Sequence, residues 1–156
     1  MTWPLRPGST ADAAACHAAY VDAIRNGTAP FYTPEQAMAW APSDTVEDWL
    51  PPRLADGTTW LAEAEGAVAG FLTSSPSGHM DLFFVRPRWR GTGLATTLYD
   101  AFAAWADGRG VTRLTTNASH LARRFLEPRG WTVVEGETAV RNGVELKRWK
   151  MARPVG

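Results

Sequence analysis

The sequence lacks most features that would place it in a secreted or a polyanion-binding class. Cys16 is the only cysteine, so no disulfide can form within the chain, and the cysteine usage gives no sign of secretion. Lysine plus arginine and aspartate plus glutamate each number 16, which makes the formal net charge zero. A chain without net charge does not indicate a bulk polyanion as partner, so we expect no nucleic acid.

Long apolar runs and targeting signals are missing as well. No apolar stretch approaches the ~20 residues of a membrane helix. Residues 1–6 lack the cationic start and apolar core of a signal peptide. No repeat, linker or low-complexity tract divides the 156 residues. We therefore expect a cytoplasmic protein with no membrane partner and no metal site, folded as a single domain over residues 1–156.

The most informative segment covers residues 82–102. An apolar stretch leads into a turn rich in arginine and glycine, and residues 94–102 then show apolar side chains at helical spacing. The order strand, turn, helix predicts an anion site, because a helix N-terminus presents unpaired N–H groups and the positive end of the helix dipole. Gly91 and Gly93 leave the backbone of the turn open to a phosphate.

The spacing within this turn narrows the choice of anion. A P-loop requires a lysine that the turn lacks, and a dinucleotide fingerprint requires a glycine where Thr96 stands. Arg90, Gly93 and Ala95 fit the pattern R-x-x-G-x-A, which resembles the pyrophosphate loop of the GNAT family of N-acetyltransferases. The alternative is an ordinary strand–turn–helix joint with two glycines.

The resemblance implies acetyl-CoA as the acetyl-donor cosubstrate. The implied binding residues lie at the end of the strand, in the glycine turn and in a later segment: Phe83, Phe84, Val85, Arg90, Gly91, Thr92, Gly93, Leu94, Ala95, Thr96, Asn117 and Ser119. Other arginines crowd the same regions, at Arg86, Arg88, Arg123, Arg124 and Arg129. They form either a solvated surface or a cationic rim for a ligand with several phosphates.

Cap, turn and periodicity signals predict the order β, helices, β, β, β, helix, β, helix, β, β, β. The predicted strands cover residues 3–6, 58–62, 68–74, 78–85, 111–116, 131–134, 138–141 and 144–151. The predicted helices cover residues 11–24, 34–40, 43–54, 94–107 and 119–127. This order resembles the fold of the same family, a mixed α/β fold with a mostly antiparallel central sheet flanked by helices.

A second family pattern, N-x-x-A-x-x-x-Y-x-x-x-G-[FW], is in register with residues 119–131, and its alanine, glycine and aromatic positions match. Ser119 replaces the asparagine that often binds the pantetheine arm, and a hydroxyl can still donate or accept there. Leu126 replaces the tyrosine that protonates the leaving thiolate in many members, so that role is left empty. Asn117 either faces the cosubstrate or caps the following helix.

Acetylation of an amine requires a proton acceptor, because most amines are protonated at pH 7. His79 and Asp81 lie two residues apart on the strand before the turn, so they share a face. Some family members use these positions as proton acceptors, which makes both residues catalytic candidates. His79 has the more suitable ordinary pKa, near ~6.5, whereas Asp81 is closer to the strand N–H that would bind the acetyl oxygen. The alternative is a turn surface and an ion pair.

We therefore predict an acetyl-CoA-dependent N-acetyltransferase that acetylates an amine of a small molecule by direct attack in a ternary complex. Aromatic residues in the first third, with Glu35 and Asp44, either receive a cationic amine or pack the helices onto the sheet. Two rivals stay open, a protein or peptide N-acetyltransferase and a non-catalytic acyl-CoA-binding module, the latter because of Leu126. A homodimer is also left open.

Overall fold

The frame of the structure is a seven-stranded sheet, seen in a computed structural model that describes residues 2–155. Its strands are β1 (Arg6–Pro7), β2 (Thr58–Ala64), β3 (Ala67–Ser74), β4 (His79–Val85), β5 (Arg113–Ala118), β6 (Thr132–Arg141) and β7 (Val144–Pro154). Their order is β1-β2-β3-β4-β5-β7-β6, and every neighbouring pair is antiparallel except β4 and β5. The predicted mixed α/β class with a mostly antiparallel sheet is confirmed.

Helices cover both faces of the sheet. Within residues 2–155 the α-helices are α1 (Ala13–Gly27), α2 (Pro34–Trp40), α3 (Leu50–Asp56), α4 (Leu94–Gly108) and α5 (His120–Leu126). Leu61 and Phe71 pack with α1, α2 and α3 on one face, whereas Leu72 and Leu114 pack with α4 and α5 on the other. Successive strand residues point to opposite faces, so a single sheet supports two separate cores.

The predicted starts of α1, α2 and α5 are confirmed by capping hydrogen bonds. The Ser9 hydroxyl accepts an N–H in a short 3₁₀ turn that leads into α1, and the Thr33 hydroxyl accepts the N–H of Gln36 at the start of α2. At the start of α5, the Ser119 hydroxyl accepts the N–H of Ala122. These contacts satisfy backbone donors that lack partners inside the helix.

The parallel strands β4 and β5 are paired only at the first two residues of β4, which lie beside the middle of β5. Their partners are His79 with Thr115 and Met80 with Thr116, although β4 continues to Val85 and β5 to Ala118. A bulge contributes to this separation, because β3 pairs with Met80 and Leu82 and leaves Asp81 without a partner. Bulged strands bend, so the second half of β4 diverges from β5 and an opening forms between them.

Two predictions in the first third are wrong. The first strand covers Arg6–Pro7 instead of residues 3–6, because the Trp3 side chain is buried and donates its indole N–H to the Thr92 hydroxyl at 3.1 Å. The helix predicted for residues 43–54 begins only at Leu50. The two prolines that follow do not interrupt it, because the first turn of a helix makes no use of their missing N–H groups.

Two strand boundaries also differ. The strands predicted for residues 131–134 and 138–141 are one strand, β6, with a register shift between Val133 and Glu135. Gly136 lies against the indole of Trp149 instead of forming a turn. β5 begins two residues later than predicted, because the N–H of Val111 still bonds the carbonyl of Ala106 at the end of α4.

Candidate functional site

The glycine turn exposes the N-terminus of α4 to open space. Gly93 is the N-cap residue with φ of +88°, and Gly91 has φ of +77°, a left-handed backbone that favours glycine. A Cβ atom built on either residue would meet no atom within 4 Å. The first N–H groups of α4 have no partner inside the helix, so the turn forms an open cradle for an anion.

A cavity of about 340 Å³ adjoins this cradle. One wall of the cavity consists of the second half of β4, the glycine turn and α5. The other wall consists of α1 and α2. Nine residues predicted to bind the cosubstrate line it: Phe83, Phe84, Val85, Arg90, Gly91, Gly93, Ala95, Thr96 and Ser119. Phe31, Tyr32 and Trp40, which the sequence offered either for an amine site or for packing, line it as well. Sequence reasoning did not single out Phe125, because no local pattern marks an aromatic residue as lining a cavity.

The other three predicted binding residues are placed differently. The Thr92 hydroxyl donates to the Trp89 carbonyl and accepts from Trp3, so its side chain is used within the protein. Leu94 is completely buried in the core, which leaves only its backbone for a ligand. Asn117 lines a second, smaller cavity instead. The prediction for Thr92 and Leu94 therefore stands only for their backbone N–H groups.

Arg90 connects the glycine turn to the end of α1. Its guanidinium donates to the carbonyl of Gly27 at 2.6 Å and to that of Ala23 at 3.5 Å. Burial lowers the pKa of Arg90, and nearby Asp22 acts against that shift. Helix C-termini carry unpaired carbonyls and negative partial charge, so this arginine holds the loop onto α1 in addition to lining the cavity.

Replacing Arg90 by alanine is expected to lower the free energy of unfolding by about 1 kcal/mol, because the carbonyls at the end of α1 lose a charged donor. We also expect weaker acetyl-CoA binding as the loop loses its attachment, with little dependence on salt. Urea unfolding and calorimetric titration at low and high salt measure both effects. Arg88→Ala is the matched control, since Arg88 is exposed and pairs with Glu65. A loss of affinity that disappears at high salt would instead mean direct phosphate pairing.

The remaining arginines are engaged with the protein to different degrees. Arg86 donates to the Val68 carbonyl and pairs with Asp22, so it lies on the α1 side of the turn. Arg129 donates to the Thr96 hydroxyl at 3.2 Å, beside the start of α4. Of these two arginines of the predicted cationic rim, it is therefore Arg129 that lies next to the glycine turn at the start of α4.

The second cavity, about 50 Å³, adjoins the first, since Tyr32, Trp40 and Ser119 line both. Its other wall is the hairpin of β6 and β7. Three hydrogen bonds fasten this hairpin to the α2 region. The Tyr32 hydroxyl donates to the Lys147 carbonyl, the Gln36 amide to the Glu145 carbonyl and the Asn142 amide to the Ala39 carbonyl, at 2.6, 3.0 and 2.8 Å.

The position of the family's usual proton donor carries no donor here. Leu126 is completely buried in the core beneath α5. Of two hydroxyls that line the first cavity, that of Tyr32 is used as a donor within the protein, whereas that of Ser119 is used only as an acceptor. Ser119 accepts the N–H of Ala122, and Tyr32 bonds Lys147 and accepts the N–H of His120. Burial raises the pKa of Tyr32, which keeps that hydroxyl neutral.

His79 and Asp81 line a third cavity of about 280 Å³, together with Arg53 and Asp56. The two residues lie together, as their spacing predicts, but this cavity shares no lining residue with the other two. Burial lowers the pKa of His79, Asp81 raises it, and Arg53 lowers it. His79 bonds the Thr115 hydroxyl at 2.8 Å, and an Asp81 oxygen lies 3.7 Å from Arg53.

The early aromatic residues divide between cavity and core. Phe31, Tyr32 and Trp40 line the first cavity, and Tyr20 packs beneath them against Phe84. The acidic residues expected near a cationic amine are placed elsewhere. Asp44 pairs with Arg25 on the surface, and Glu35 lines neither of the two adjoining cavities.

Residues 2–155 contain no group of three His, Cys, Asp or Glu side chains arranged to hold a metal ion. In the same range, no helix combines the length and apolar character needed to cross a bilayer.

Comparison with known proteins gives one consistent family. Residues 28–153 match the family model described as an acetyltransferase (GNAT) domain. The chain is 34% identical to a crystal structure from Rhodopseudomonas palustris described as "GCN5-Related N-acetyltransferase: Aminotransferase, Class-II", with a TM-score of 0.90 and coverage of 99% of this chain and 96% of that one.

Two curated relatives carry acetyltransferase names. The uncharacterized N-acetyltransferase YafP of Escherichia coli (strain K12) is 28% identical over 118 residues, which cover 76% of this chain and 73% of the relative. The aminoglycoside N(6')-acetyltransferase type 1 of Stenotrophomonas maltophilia is 31% identical over 110 aligned positions, with coverage of 55% of this chain and 71% of the relative.

Proposed function

The chain belongs to the GNAT family of acetyltransferases, and from this premise we propose that it transfers the acetyl group of acetyl-CoA to an amine of a small molecule by direct attack in a ternary complex. As an N-acetyltransferase of this family it uses acetyl-CoA as acetyl donor. The finer parts of the proposal are the small acceptor, the direct attack and the residues that take part.

The cosubstrate is proposed to lie along the glycine turn and the first cavity. Its pyrophosphate would accept the N–H groups of residues 91–96 at the start of α4. Its pantetheine arm would follow the apolar wall at Phe83, Phe84 and Val85, past Ser119. The opening between β4 and β5 then admits the thioester, and a β4 N–H that faces it stabilises the charge that develops on the acetyl oxygen.

The closed groove between α2 and the β6–β7 hairpin is the observation that carries the choice of a small acceptor. A peptide needs an open channel on the acceptor side, but side chains of Tyr32, Gln36 and Asn142 bond across this groove. The space left is a small pocket of about 50 Å³ beside the larger cavity. This arrangement favours a small amine over the rival protein or peptide acceptor.

Direct attack is favoured by the state of the single cysteine. A route through a covalent acetyl-enzyme needs a nucleophile such as a thiolate. Cys16 is completely buried, and burial raises the pKa of its thiol to about 12. The thiol therefore stays protonated and out of reach of the thioester.

We propose Asp81 and His79 as the groups that take the amine proton. Asp81 is two residues before Phe83, so about 7 Å of strand separates them. Because both side chains line the third cavity, the proton would leave the amine through water and reach Asp81 or His79 there.

The proposed mechanism predicts intersecting initial-velocity lines when acetyl-CoA and acceptor are varied together. It also predicts that iodoacetamide leaves turnover intact in the folded protein, since Cys16 is inaccessible. Steady-state kinetics before and after alkylation measure both. Cys16→Ala serves as the control, with turnover retained. Parallel velocity lines together with inactivation by alkylation would contradict direct attack.

The function itself is tested by acceptor-dependent release of CoA thiol across amino acids, polyamines, aminoglycosides and short peptides. We expect release with small amines and little with peptides. Strong release with peptide N-termini would favour the peptide rival. Tight acetyl-CoA binding in calorimetry, without release for any amine, would favour the non-catalytic acyl-CoA-binding module.

A further inference from the structure

We infer that the acetyl acceptor carries an anionic group near its amine, in the manner of an amino acid, and that Arg141 binds this group. The inference rests on the proposed function and specifies its substrate class. It concerns the second cavity, where the acceptor would lie next to the thioester.

The two adjoining cavities contain positive charge and no acidic lining. The first has Arg90 as its charged residue, and the second is lined by Arg141, Lys147 and Arg148. Within residues 2–155, no aspartate or glutamate lines either cavity. An acceptor with several ammonium groups would be desolvated beside these cations without a counter-charge, which costs free energy.

Arg141 and Lys147 are the two cations of the second cavity that form no ion pair within the described residues 2–155, and of the two we assign the anion to Arg141. Arg148 pairs with Glu137, and Lys150 lies 3.8 Å from the same carboxylate. Arg141 forms no ion pair with any other residue in the described range 2–155. Its planar guanidinium is suited to bidentate contact with a carboxylate.

The charge of Arg141 influences a buried hydroxyl beside the second cavity, that of Tyr20. Burial raises the pKa of Tyr20 and Glu47 adds to the rise, whereas Arg141 and Arg53 act against it. The guanidinium of Arg141 therefore lies within electrostatic reach of the Tyr20 hydroxyl, which bonds the Trp40 carbonyl under the cavity wall. Glu47 is the acidic group that faces this region, and it lies beside buried His17 at 3.6 Å, not at the cavity.

The backbone beside Arg141 is fixed in place. The neighbouring Asn142 bonds the Ala39 carbonyl, and Arg141 is paired with Val144 at the end of the hairpin. A pocket of about 50 Å³ holds roughly as much as a few water molecules, which suits a carboxylate head group and not a sugar ring. Because the backbone that carries Arg141 is already ordered, binding has to order only the side chain, and a charge contact at this position can discriminate acceptors.

The experiment compares each amino acid with its own amide, which has nearly the same size and keeps the amine but loses the negative charge. CoA release is measured for the twenty pairs, for aminophosphonates, and for spermidine and kanamycin. We expect at least one acid to exceed its amide by about 10-fold or more in kcat/KM, with spermidine and kanamycin poor. Aminophosphonate turnover shows whether the anion must be a carboxylate.

Arg141→Gln should lower kcat/KM for the preferred acid by about 10- to 100-fold, chiefly through KM, and leave its amide nearly unchanged. Arg141→Lys should restore part of the loss, and calorimetric acetyl-CoA affinity should not change. Arg109→Gln is the matched control, since Arg109 lies over Trp105 beyond the far end of α4.

The inference is overturned if amides or kanamycin are the better acceptors, or if Arg141→Gln lowers acid and amide equally. In both cases the proposed acetyl transfer to a small amine still stands. Absence of release with every amine, despite acetyl-CoA binding, would instead contradict the proposed function and this inference with it.

Discussion

Gly93→Val is expected to weaken acetyl-CoA binding by at least ~100-fold, which corresponds to about 2.7 kcal/mol, while the protein stays folded. Gly93 has φ of +88° and opens the start of α4, where a Cβ atom would project into empty space. A valine side chain would fill the position proposed for the pyrophosphate and keep it from the N–H groups of residues 94–96. Calorimetric titration with acetyl-CoA gives the affinity, and circular dichroism reports the fold.

Strain must be separated from steric exclusion in this test, because valine is unfavourable wherever φ is positive. Gly66 supplies the matched control. It has φ of +78° in the β2–β3 turn, and a Cβ atom there would also meet nothing within 4 Å. Gly66→Val should therefore cost similar stability without loss of affinity. Wild-type affinity in a folded Gly93→Val protein would exclude the glycine turn as the pyrophosphate site.

Asp81→Asn and His79→Ala should each lower turnover by about 100-fold or more if this pair takes the amine proton, since general base catalysis contributes ~10²–10⁴. Acetyl-CoA affinity should change little, because neither residue lines the first cavity. Turnover is measured at saturating acceptor as the CoA thiol released in samples that are stopped at fixed times. Asp56→Asn is the matched control, a carboxylate in the same cavity that has no proposed role.

The pH dependence identifies which of the two residues accepts the proton. If His79 is the acceptor, its imidazole must be neutral to take the proton, so kcat/KM should rise as pH increases through the pKa of His79 and then level off. Burial lowers that pKa, so the midpoint of the rise in kcat/KM should lie at a pH below the ordinary histidine pKa near ~6.5. Because Leu126 replaces the tyrosine that acts as proton donor in many family members, we expect no fall in kcat/KM near pH ~10.

Substitutions of the two charged neighbours of His79 should move the rise in kcat/KM along the pH axis in opposite directions. Asp81 raises the pKa of His79 and Arg53 lowers it, so Asp81→Asn should shift the limb to lower pH and Arg53→Gln to higher pH. A limb that moves with neither variant would exclude His79. Full turnover in both Asp81→Asn and His79→Ala would remove this strand from the proton path and leave bulk water or the early helices to take the proton.

Features that depend on neighbours in the sequence were predictable from it. The glycine turn before α4 was located by its spacing, and Thr33 was recognised as a cap by the residues that follow it. The cap of α5 is Ser119, whereas the sequence had offered Asn117 for that role. Turns, caps and amphipathic periods need only a few consecutive residues to form. The class of the sheet followed from the order of these elements, and the family from the motif in the turn.

Where the sequence prediction was wrong, a distant contact decided the outcome. Trp3 leaves the first strand because its indole reaches Thr92, and Gly136 continues β6 because Trp149 packs against it. Neither partner is identifiable from local pattern, since tryptophan at position 3 is compatible with a strand and glycine at position 136 with a turn.

The sequence by itself determined the family, the class of the sheet and the position of the glycine turn at the start of α4, although it divided β6 into two strands. The tertiary structure alone decided that Arg90 bonds the end of α1, that His79 and Asp81 line a separate cavity, and that Arg141 lines the second cavity. The physical reason is that a cradle of N–H groups is built from consecutive residues, whereas the walls of a cavity are built from surfaces that meet only when the helices and the β6–β7 hairpin pack together.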